Sequence, residues 1–331
     1  MTDVATLAHV GLSTVSRVIN GVTTVDPDLA SRVHRAAEAL DYQHNLTASS
    51  LRRVGGKTRT IGLLLENIAN PFSSALHRGV EDVTRPRGVG VLAGSLDEEP
   101  ARERELVRSL VARRVDGLII VPTVNDHSYL LSEKRAGTAI VFADRPPRFF
   151  DADCVLTDNI AGAVHATRHL LEHGHQHIAY LGDLRTIATA SLRHEGFVAA
   201  LTGHGLRVEE HLVRLDLHDI ESAEAAAIEL LTSEEPPTAL FAGQNLITIG
   251  AIRALRRLDL HHQVALIGFD DLMLVDLLDP GVSVIAQDPA AMGRSAAELL
   301  FRRLDGDSSP SQQLIVPTRL IARGSGEIRP R

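Results

Sequence analysis

The apolar and polar positions of the amino-terminal segment predict short helices. One apolar pattern covers DVATLA, and a second begins after a break at His9–Gly11. In the second pattern Val15, Val18 and Ile19 fall on one side of a helix. The opposite side carries hydrogen-bonding side chains at helical spacing, namely Ser13, Ser16, Arg17 and Asn20. On its own, such a side is also typical of any helix at a protein surface.

A third helix is predicted to begin at Asp26-Pro27, because a capping side chain followed by proline is typical of a first helical turn. Its apolar stripe consists of Leu29, Val33, Ala36, Ala37 and Leu40. We expect this stripe to close a three-helix core with apolar residues of the first two helices, namely Val4, Leu7, Val15 and Ile19.

From Thr60 the pattern changes to short apolar runs rich in β-branched residues: TIGLLL, VGVLAG, VDGLIIV, AIVFAD, HIAYLGD, TALFAG and VALIGFD. Amphipathic helical segments follow the runs, as at Pro71–Arg85, Pro100–Arg113 and Asp126–Ala136, and Pro86 is expected to end its helix early. This alternation predicts an α/β body with parallel sheets and helices on both faces. Two such sheets fit, and we expect the chain to cross between them near Asp144–Asp158, Gly243–Asn245 and Gln287.

The stretch DVATLAHVGLSTVSRVING, Asp3 to Gly21, resembles the helix-turn-helix of the lactose-repressor (LacI-type) family of bacterial regulators. His9 stands where that family usually has glycine, so a positive φ is expected there, and Gly11 replaces the usual serine cap. The resemblance implies a helix that enters the major groove, where hydrogen-bonding groups read base edges and phosphates. The implied DNA-contacting residues are Leu12, Ser13, Thr14, Ser16, Arg17 and Asn20.

The segment DYQHNLTASSLRR is ambiguous by pattern alone. Asn45 could cap a short helix through Leu51, but isolated helices of this length are marginal in water, which favours a linker. The family resemblance instead implies a hinge helix that orders on DNA, with Leu51 between base pairs in the minor groove and Arg52 beside it. The predicted domains are therefore a head over 1–44, a hinge and linker over 45–59, and a body over 60–331.

The body resembles the two-lobed periplasmic-binding-protein-like body of the same family. In open α/β sheets small molecules bind outside the carboxyl ends of the strands, and with two lobes those ends face each other across a cleft. The resemblance implies effector contacts from residues just past strand ends or early in the following helix: Phe72, Ser73, Asp144, Arg193, Gln244 and Asp270. For a single strand-end aspartate the alternative role is a cap on the next helix. Gln244-Asn245 departs from the family's usual Asn-Asp pair, which weakens the transfer of any particular sugar specificity.

The formal charge of the 331-residue chain is −8, but it is divided unevenly. Residues 1–59 carry seven basic and five acidic side chains, a net +2, which leaves −10 for the remainder. This division is typical of a small DNA-contacting head on an acidic body. The sequence shows no apolar run of membrane-spanning length and no signal peptide, so we expect a cytoplasmic protein.

Other chemistry has little support in the sequence. The segment HGHQH, His173 to His177, could suggest a metal site, but a helix end, a turn and a strand start need not bring its imidazoles together. Cys154 is the single cysteine, and no phosphate-binding loop or hydrolase motif is present. We predict a homodimeric, ligand-responsive repressor without cofactor or metal, which binds operator DNA and a sugar or related polar metabolite. The alternatives are a sugar-binding transport component and an enzyme on the same two-lobed fold.

Overall fold

The structure, a computed structural model, describes residues 1–19, 22, 24–42 and 57–331. It divides into two compact units, Met1–Thr58 and Arg59–Arg331, which are described separately below. Of the sequence-predicted residues, Asn20, Leu51, Arg52 and the hinge helix through Leu51 lie outside the described residues.

The first unit contains the three predicted helices: α1 (Thr2–Ala8), α2 (Leu12–Ile19) and α3 (Pro27–Ala39). The predicted cap at Asp26 is confirmed, because its carboxylate accepts hydrogen bonds from the backbone N–H groups of Asp28 and Leu29. His9 ends α1 with φ of 50°, as expected for a turn position that usually holds glycine. The buried core consists of Val4, Ala8, Val15, Val18, Val33 and Ala36.

Two residues predicted for this core are exposed. Leu7 is 49% exposed and Leu40 is 43% exposed. In α1 the buried side is defined by Val4 and Ala8, four residues apart, and Leu7 falls beside that line. Leu40 is already the C-cap of α3, beyond its last full turn.

The second unit is an α/β body with two six-stranded sheets. The strands of the amino-terminal lobe are β1 (Thr60–Leu65), β2 (Gly90–Ser95), β3 (Gly117–Ile120), β4 (Ala139–Ala143), β5 (Asp153–Thr157) and β11 (Gln313–Val316). The strands of the carboxy-terminal lobe are β6 (Ile178–Leu181), β7 (Val213–Arg214), β8 (Ala239–Ala242), β9 (Ala265–Phe269), β10 (Ser283–Ala286) and β12 (Arg319–Ile321).

The order in the first sheet is β11-β5-β4-β3-β1-β2, and all of its pairs are parallel. The order in the second sheet is β12-β10-β9-β8-β6-β7. There, β12 pairs antiparallel with β10, and the remaining pairs are parallel. The predicted parallel sheets are therefore confirmed, with one antiparallel edge strand.

Helices cover both faces of each sheet. In the amino-terminal lobe, α4 (Pro71–Thr84) and α11 (Pro289–Leu304) pack together on one face, and α5 (Pro100–Ala112) packs on the other. In the carboxy-terminal lobe, α7 (Asn159–Glu172) pairs with α8 (Ala188–Gly203), and α9 (Ile220–Leu231) pairs with α10 (Asn245–Arg257). Among the described residues, no helix is long and apolar enough to cross a membrane.

The chain passes between the lobes at Asp158, at Gln287–Asp288 and at Pro317–Thr318. The predicted crossing at Gly243–Asn245 is wrong, because β8, α10 and β9 all belong to the carboxy-terminal lobe. The third crossing joins the edge strands β11 and β12, which are short and half-exposed. Such strands give a much weaker apolar signal than the buried strands.

Two helix predictions changed at their ends. Instead of one helix over Asp126–Ala136, the structure has a 3-10 turn at Ser128–Leu130 followed by α6 (Leu131–Arg135). Two hydrogen bonds tie His127 to Arg148 and hold the start of this segment against a neighbouring loop: the backbone N–H of His127 donates to the carbonyl oxygen of Arg148, and the backbone N–H of Arg148 donates to Nδ1 of the His127 ring. The expected early end at Pro86 is confirmed, since α4 stops at Thr84 and a 3-10 turn, Arg85–Arg87, follows.

Candidate functional site

The outward side of α2 is the candidate DNA-contacting surface. Leu12, Ser13 and Arg17 are exposed, whereas Thr14 and Ser16 are half-buried. The opposite side of the helix buries Val15 and Val18 in the core of the head. An exposed leucine beside serine and arginine gives this surface both apolar and hydrogen-bonding groups, which are the two kinds of contact that base edges offer in the major groove.

Arg17 is held in place within the head. Its Nη2 atom donates a hydrogen bond to Oγ1 of Thr24, 2.8 Å away, between α2 and α3. A guanidinium group has five N–H donors, so this bond restricts the side chain without exhausting its donors. Arg32 stabilises the turn between α1 and α2 by donating to the carbonyl oxygens of Ala8 and His9, at 2.6 and 3.0 Å.

A cleft of about 560 Å³, including open solvent, lies between the lobes at the carboxyl ends of their strands. All six residues predicted to contact an effector line this cleft: Phe72, Ser73, Asp144, Arg193, Gln244 and Asp270. Three of them, Asp144, Arg193 and Asp270, are charged and buried.

Two aspartates occupy equivalent positions in the lobes. Asp144 follows β4 and Asp270 follows β9, and both have left-handed backbones, with φ of 66° and 73°. The backbone N–H of each donates at 2.9 Å to the neighbouring strand, to the carbonyl oxygens of Val155 and Ile285. Residues held in this region are found disproportionately at functional sites. Here the backbone turns each carboxylate into the cleft.

The electrostatic surroundings of the two aspartates differ. Burial raises the pKa of Asp144, and the nearby guanidinium groups of Arg145 and Arg193 only partly oppose that effect. Asp270 accepts a hydrogen bond from Nε2 of Gln287 at 2.5 Å, from the segment that crosses between the lobes. The Oε1 atom of Gln287 is buried and has no partner among the described residues, so it can accept a hydrogen bond from a ligand.

Arg193 is fixed by contacts on three sides. Its Nε donates to Oδ1 of Asn159 at 2.7 Å, and its Nη1 donates to the carbonyl oxygen of Gly243 at 2.9 Å. The guanidinium carbon lies 3.9 Å from the centre of the Phe269 ring, a cation–π contact. These contacts preorganise a planar donor group at the wall of the cleft.

Amide side chains in the cleft cap two helices and form one hydrogen bond between the lobes. The side-chain oxygen of Gln244 caps α10 by accepting from the N–H groups of Leu246 and Ile247, so this predicted effector residue also has a structural role. Asn70 caps α4 in the same way and also accepts a hydrogen bond at 2.7 Å from Nδ2 of Asn245, in the opposite lobe. A direct bond therefore joins the lobes across the cleft.

Sequence reasoning missed four ionisable residues that line the cleft: Glu66, Glu98, Asp183 and His218. Each follows a strand, β1, β2, β6 or β7, within a few positions. The rule that located the aspartates would also have located these residues if it had been applied to every strand of each sheet.

The histidine-rich segment is occupied by structural contacts. The two ring nitrogens of His175 lie 2.9 Å from Oγ1 of Thr238 and 2.7 Å from the carbonyl oxygen of Ile328. Within the described ranges, no cluster of three or more histidine, cysteine or acidic side chains could hold a metal ion. Burial raises the pKa of the Cys154 thiol to about 11, which disfavours a reactive thiolate.

Comparisons with known proteins agree with this architecture. Residues 1–45 match the family described as bacterial regulatory proteins, lacI family, and residues 167–326 match the periplasmic binding protein-like domain. The chain is 30% identical to the ribose operon repressor of Escherichia coli, and the match covers 98% of this chain and 99% of the relative.

Two further proteins resemble the chain over most of its length. The HTH-type transcriptional regulator GalS of Salmonella typhimurium is 31% identical, with 92% of this chain and 89% of the relative covered. The solved complex of the transcriptional regulator CelR with cellobiose is 30% identical, with a TM-score of 0.72 and 98% of each chain covered. The chain therefore belongs to the lacI family of bacterial regulatory proteins and is a DNA-binding transcription regulator.

Proposed function

We propose that the protein is a repressor that binds a pseudo-palindromic operator as a homodimer and responds to a sugar or related polar metabolite in the cleft. In this proposal the head contacts DNA through Leu12, Ser13, Thr14, Ser16, Arg17 and Asn20, with Leu51 and Arg52 of the hinge in the minor groove. The effector is bound by Phe72, Ser73, Asp144, Arg193, Gln244 and Asp270.

The observation that carries the proposal is the convergence of three buried charged residues, Asp144, Arg193 and Asp270, in one cleft. Carboxylates accept and a guanidinium donates, so together they complement a ring whose hydroxyl groups both donate and accept. Phe72 adds an apolar surface for the carbon face of such a ring. The names of two relatives, the ribose operon repressor and the CelR–cellobiose complex, support a sugar as the ligand class.

Ligand binding would act by changing the relation of the two lobes. Residues of both lobes line the cleft, and the bond between Asn70 and Asn245 joins the lobes directly. A ligand that contacts both lobes stabilises the arrangement in which both sets of contacts are made. The ligand changes operator affinity only as far as its own affinity differs between the conformation that binds DNA and the conformation that does not.

A second copy of the chain is the proposed partner of an apolar surface on the carboxy-terminal lobe. Met273 is 89% exposed and Leu277 is 74% exposed, with Leu274 between them, in the segment after β9. Apolar side chains exposed together are typical of protein contact surfaces. A two-fold dimer presents two heads to two half-sites of a pseudo-palindrome.

This proposal also separates the protein from its alternatives. A sugar-binding transport component or an enzyme on this fold would have no use for the outward side of α2, whereas a regulator requires it. The relatives reported above are transcription regulators, which supports a protein that is not an enzyme. Because its target is operator DNA, we place the protein in the cytoplasm.

The dependence of operator affinity on added sugars tests the proposal. DNA selected from a random pool by the full-length protein is titrated in gel shifts with and without ribose, galactose and cellobiose. We expect at least one sugar to change operator affinity. Arg193→Ala should retain operator binding but weaken the sugar response, because losing a charged donor costs roughly 1.5–3 kcal/mol, about ten- to a hundredfold in sugar affinity.

Arg207→Ala is the matched control, since Arg207 is an exposed arginine of the same lobe outside the cleft. Its sugar response should equal that of the unmodified protein. An unchanged sugar response in Arg193→Ala would contradict the placement of the effector.

A further inference from the structure

The cleft carries more negative than positive charge. Its walls contain five carboxyl groups, those of Glu66, Glu98, Asp144, Asp183 and Asp270. The only guanidinium groups among its described lining residues are those of Arg145 and Arg193. A neutral sugar would leave this imbalance unchanged when the lobes close around it.

Two of the five carboxylates are already paired with basic side chains of the protein. Arg145 forms a bidentate pair with Glu98, with Nη1 and Nη2 at 2.9 and 2.6 Å from the two carboxylate oxygens. His218 lies with Nδ1 2.8 Å from Oδ1 of Asp183, and this contact raises the pKa of the imidazole. Arg145 also lies within ion-pair distance of Asp144, but among the described residues neither basic group forms an ion pair with Glu66.

Glu66 is the cleft carboxylate that takes part in neither of these pairs. It follows β1, is half-buried at the cleft wall, and has no side-chain ion pair or hydrogen bond with the part of the chain that the structure describes. Burial raises the pKa of Glu66 most, and Glu98 and Asp183 raise it further, while Arg145 and His218 act in the opposite direction. Ionised Glu66 thus lies in a region with an excess of negative charge.

A second carboxylate in the cleft also lacks a donor. Asp144 is only 7% exposed, yet its side chain accepts no hydrogen bond from a described residue. Nε of Arg145 forms an ion pair with Oδ2 of Asp144 at 3.6 Å, which is beyond hydrogen-bond distance, and this Nε is itself buried without a hydrogen-bond partner among the described residues. Among the described residues Arg193 makes no hydrogen bond to Asp144; its Nε and Nη1 atoms donate to Asn159 and Gly243, which leaves its Nη2 atom for a ligand. The Asp144 carboxylate therefore keeps acceptor capacity for a donor on a ligand, beside its ion pair with Arg145.

We infer that the effector is a sugar or polyol that carries a primary amine, with its ammonium group beside Glu66 and its hydroxyl groups at Asp144, Arg193 and Asp270. This assignment rests on the proposed function, because it names the ligand class of the same cleft. An ammonium group has three donors and one positive charge, so it supplies both a hydrogen bond and neutralisation to Glu66, which receives neither from a side chain of the described residues. A sugar phosphate is excluded by the same charges.

Matched ligand pairs test the inference by calorimetric titration of the full-length protein. The pairs are D-glucosamine with D-glucose, D-galactosamine with D-galactose, and glucamine with sorbitol, which differ only by the amine. We expect one amine to bind about tenfold or more tightly than its hydroxyl counterpart, as a charge-assisted bond predicts. Its N-acetylated form should lose that advantage, and Glu66→Gln should reduce the preference to near unity.

The outcomes separate this inference from the proposed function. A neutral sugar that binds as tightly as its amine, or an amine preference that survives in Glu66→Gln, overturns the inference and leaves the sugar-responsive repressor intact. Tighter binding of a sugar phosphate overturns it as well. If no sugar of either kind binds, both the inference and the proposed function fail.

Thermal unfolding without ligand provides a second measurement. Since the folded state binds the Glu66 proton more tightly than the unfolded chain does, ionising this group reduces stability as the pH rises above 4.5. Glu66→Gln should therefore unfold at a higher temperature than the unmodified protein near pH 8, and the difference should shrink near pH 4. Glu98→Gln is the control, and it should lower the midpoint because it leaves Arg145 buried without its carboxylate. A lower midpoint for Glu66→Gln near pH 8 would overturn the inference.

Discussion

At the scale of single residues, aspartates that follow a strand differ in backbone conformation and in the partners of their carboxylates. Asp158 also follows a strand, but its Oδ1 accepts hydrogen bonds from the backbone and hydroxyl of Thr318 at 2.9 and 2.8 Å. Asp144 and Asp270 instead have left-handed backbones and line the cleft. A strand-end aspartate is thus structural in one case and available to a ligand in the other two.

The sequence indicates which residues lie at strand ends but not which side chains pair with them. Asp144, Arg193 and Asp270 could be assigned to the cleft because the family resemblance places effector contacts just past strand ends or early in the following helix. Glu66, Glu98, Asp183 and His218 could not be interpreted from the sequence, since their charge states depend on side chains that lie far away along the chain. Pairing between such groups is a property of the folded body.

Arg17 carries the prediction for base reading. Arg17→Ala should lower specific operator affinity by roughly 1–3 kcal/mol, because a bidentate contact to guanine or a clamp on a phosphate is lost. Thr24→Ala is the matched control, as it removes only the bond that restrains the guanidinium and should cost less. Gel-shift titration at fixed salt measures both variants. Equal affinity of Arg17→Ala and the unmodified head would remove this residue from the recognition surface.

At the scale of elements, local patterning predicts strands and helices well and their assignment to a sheet less well. The buried strand β8 has the same apolar character whether it belongs to the first or the second sheet. This is why the predicted crossing at Gly243–Asn245 is wrong, whereas the crossings predicted near Asp144–Asp158 and Gln287 are confirmed. Sheet membership depends on contacts between residues distant in sequence, which periodicity does not contain.

The hinge segment gives an element-scale prediction that remains a proposal. If Asn45–Arg52 forms a helix on DNA with Leu51 as a wedge, Leu51→Ala preserves helix propensity but removes the wedge. Unstacking a base step costs a few kcal/mol and is repaid by minor-groove contacts, so specific affinity should fall about tenfold or more, with less bending of the DNA.

Leu46→Ala is the control for the hinge, because it removes the other leucine of the same segment. Non-specific binding depends on basic side chains such as Arg52, Arg53 and Lys57 and should barely change in either variant. Operator affinity and DNA bending measured at several salt concentrations distinguish specific operator binding from non-specific binding. Identical bending by Leu51→Ala and the unmodified protein would identify the segment as a linker.

At the scale of the whole molecule, charge and symmetry determine how the parts work together. Residues 1–59 carry a net charge of +2 against −10 for the remainder, so DNA attracts the head and repels the body. A head with so little positive charge gains little from phosphates alone. Joining two heads makes the second binding event effectively intramolecular and raises the overall affinity without any new contact.

Disrupting the proposed subunit contact should therefore weaken operator binding at a distance. Leu277→Asp places a charge on the apolar surface formed with Met273 and Leu274, and its side chain is already 74% exposed, so folding of the body should be unaffected. We expect sedimentation velocity to show monomers, and operator affinity to fall about a hundredfold because the two heads are no longer linked. Sugar binding in the cleft should persist, since Leu277 does not line it. Phe149→Asp is the control, because Phe149 is 80% exposed on the amino-terminal lobe. A Leu277→Asp protein that stays dimeric would show that the subunits meet through a different surface.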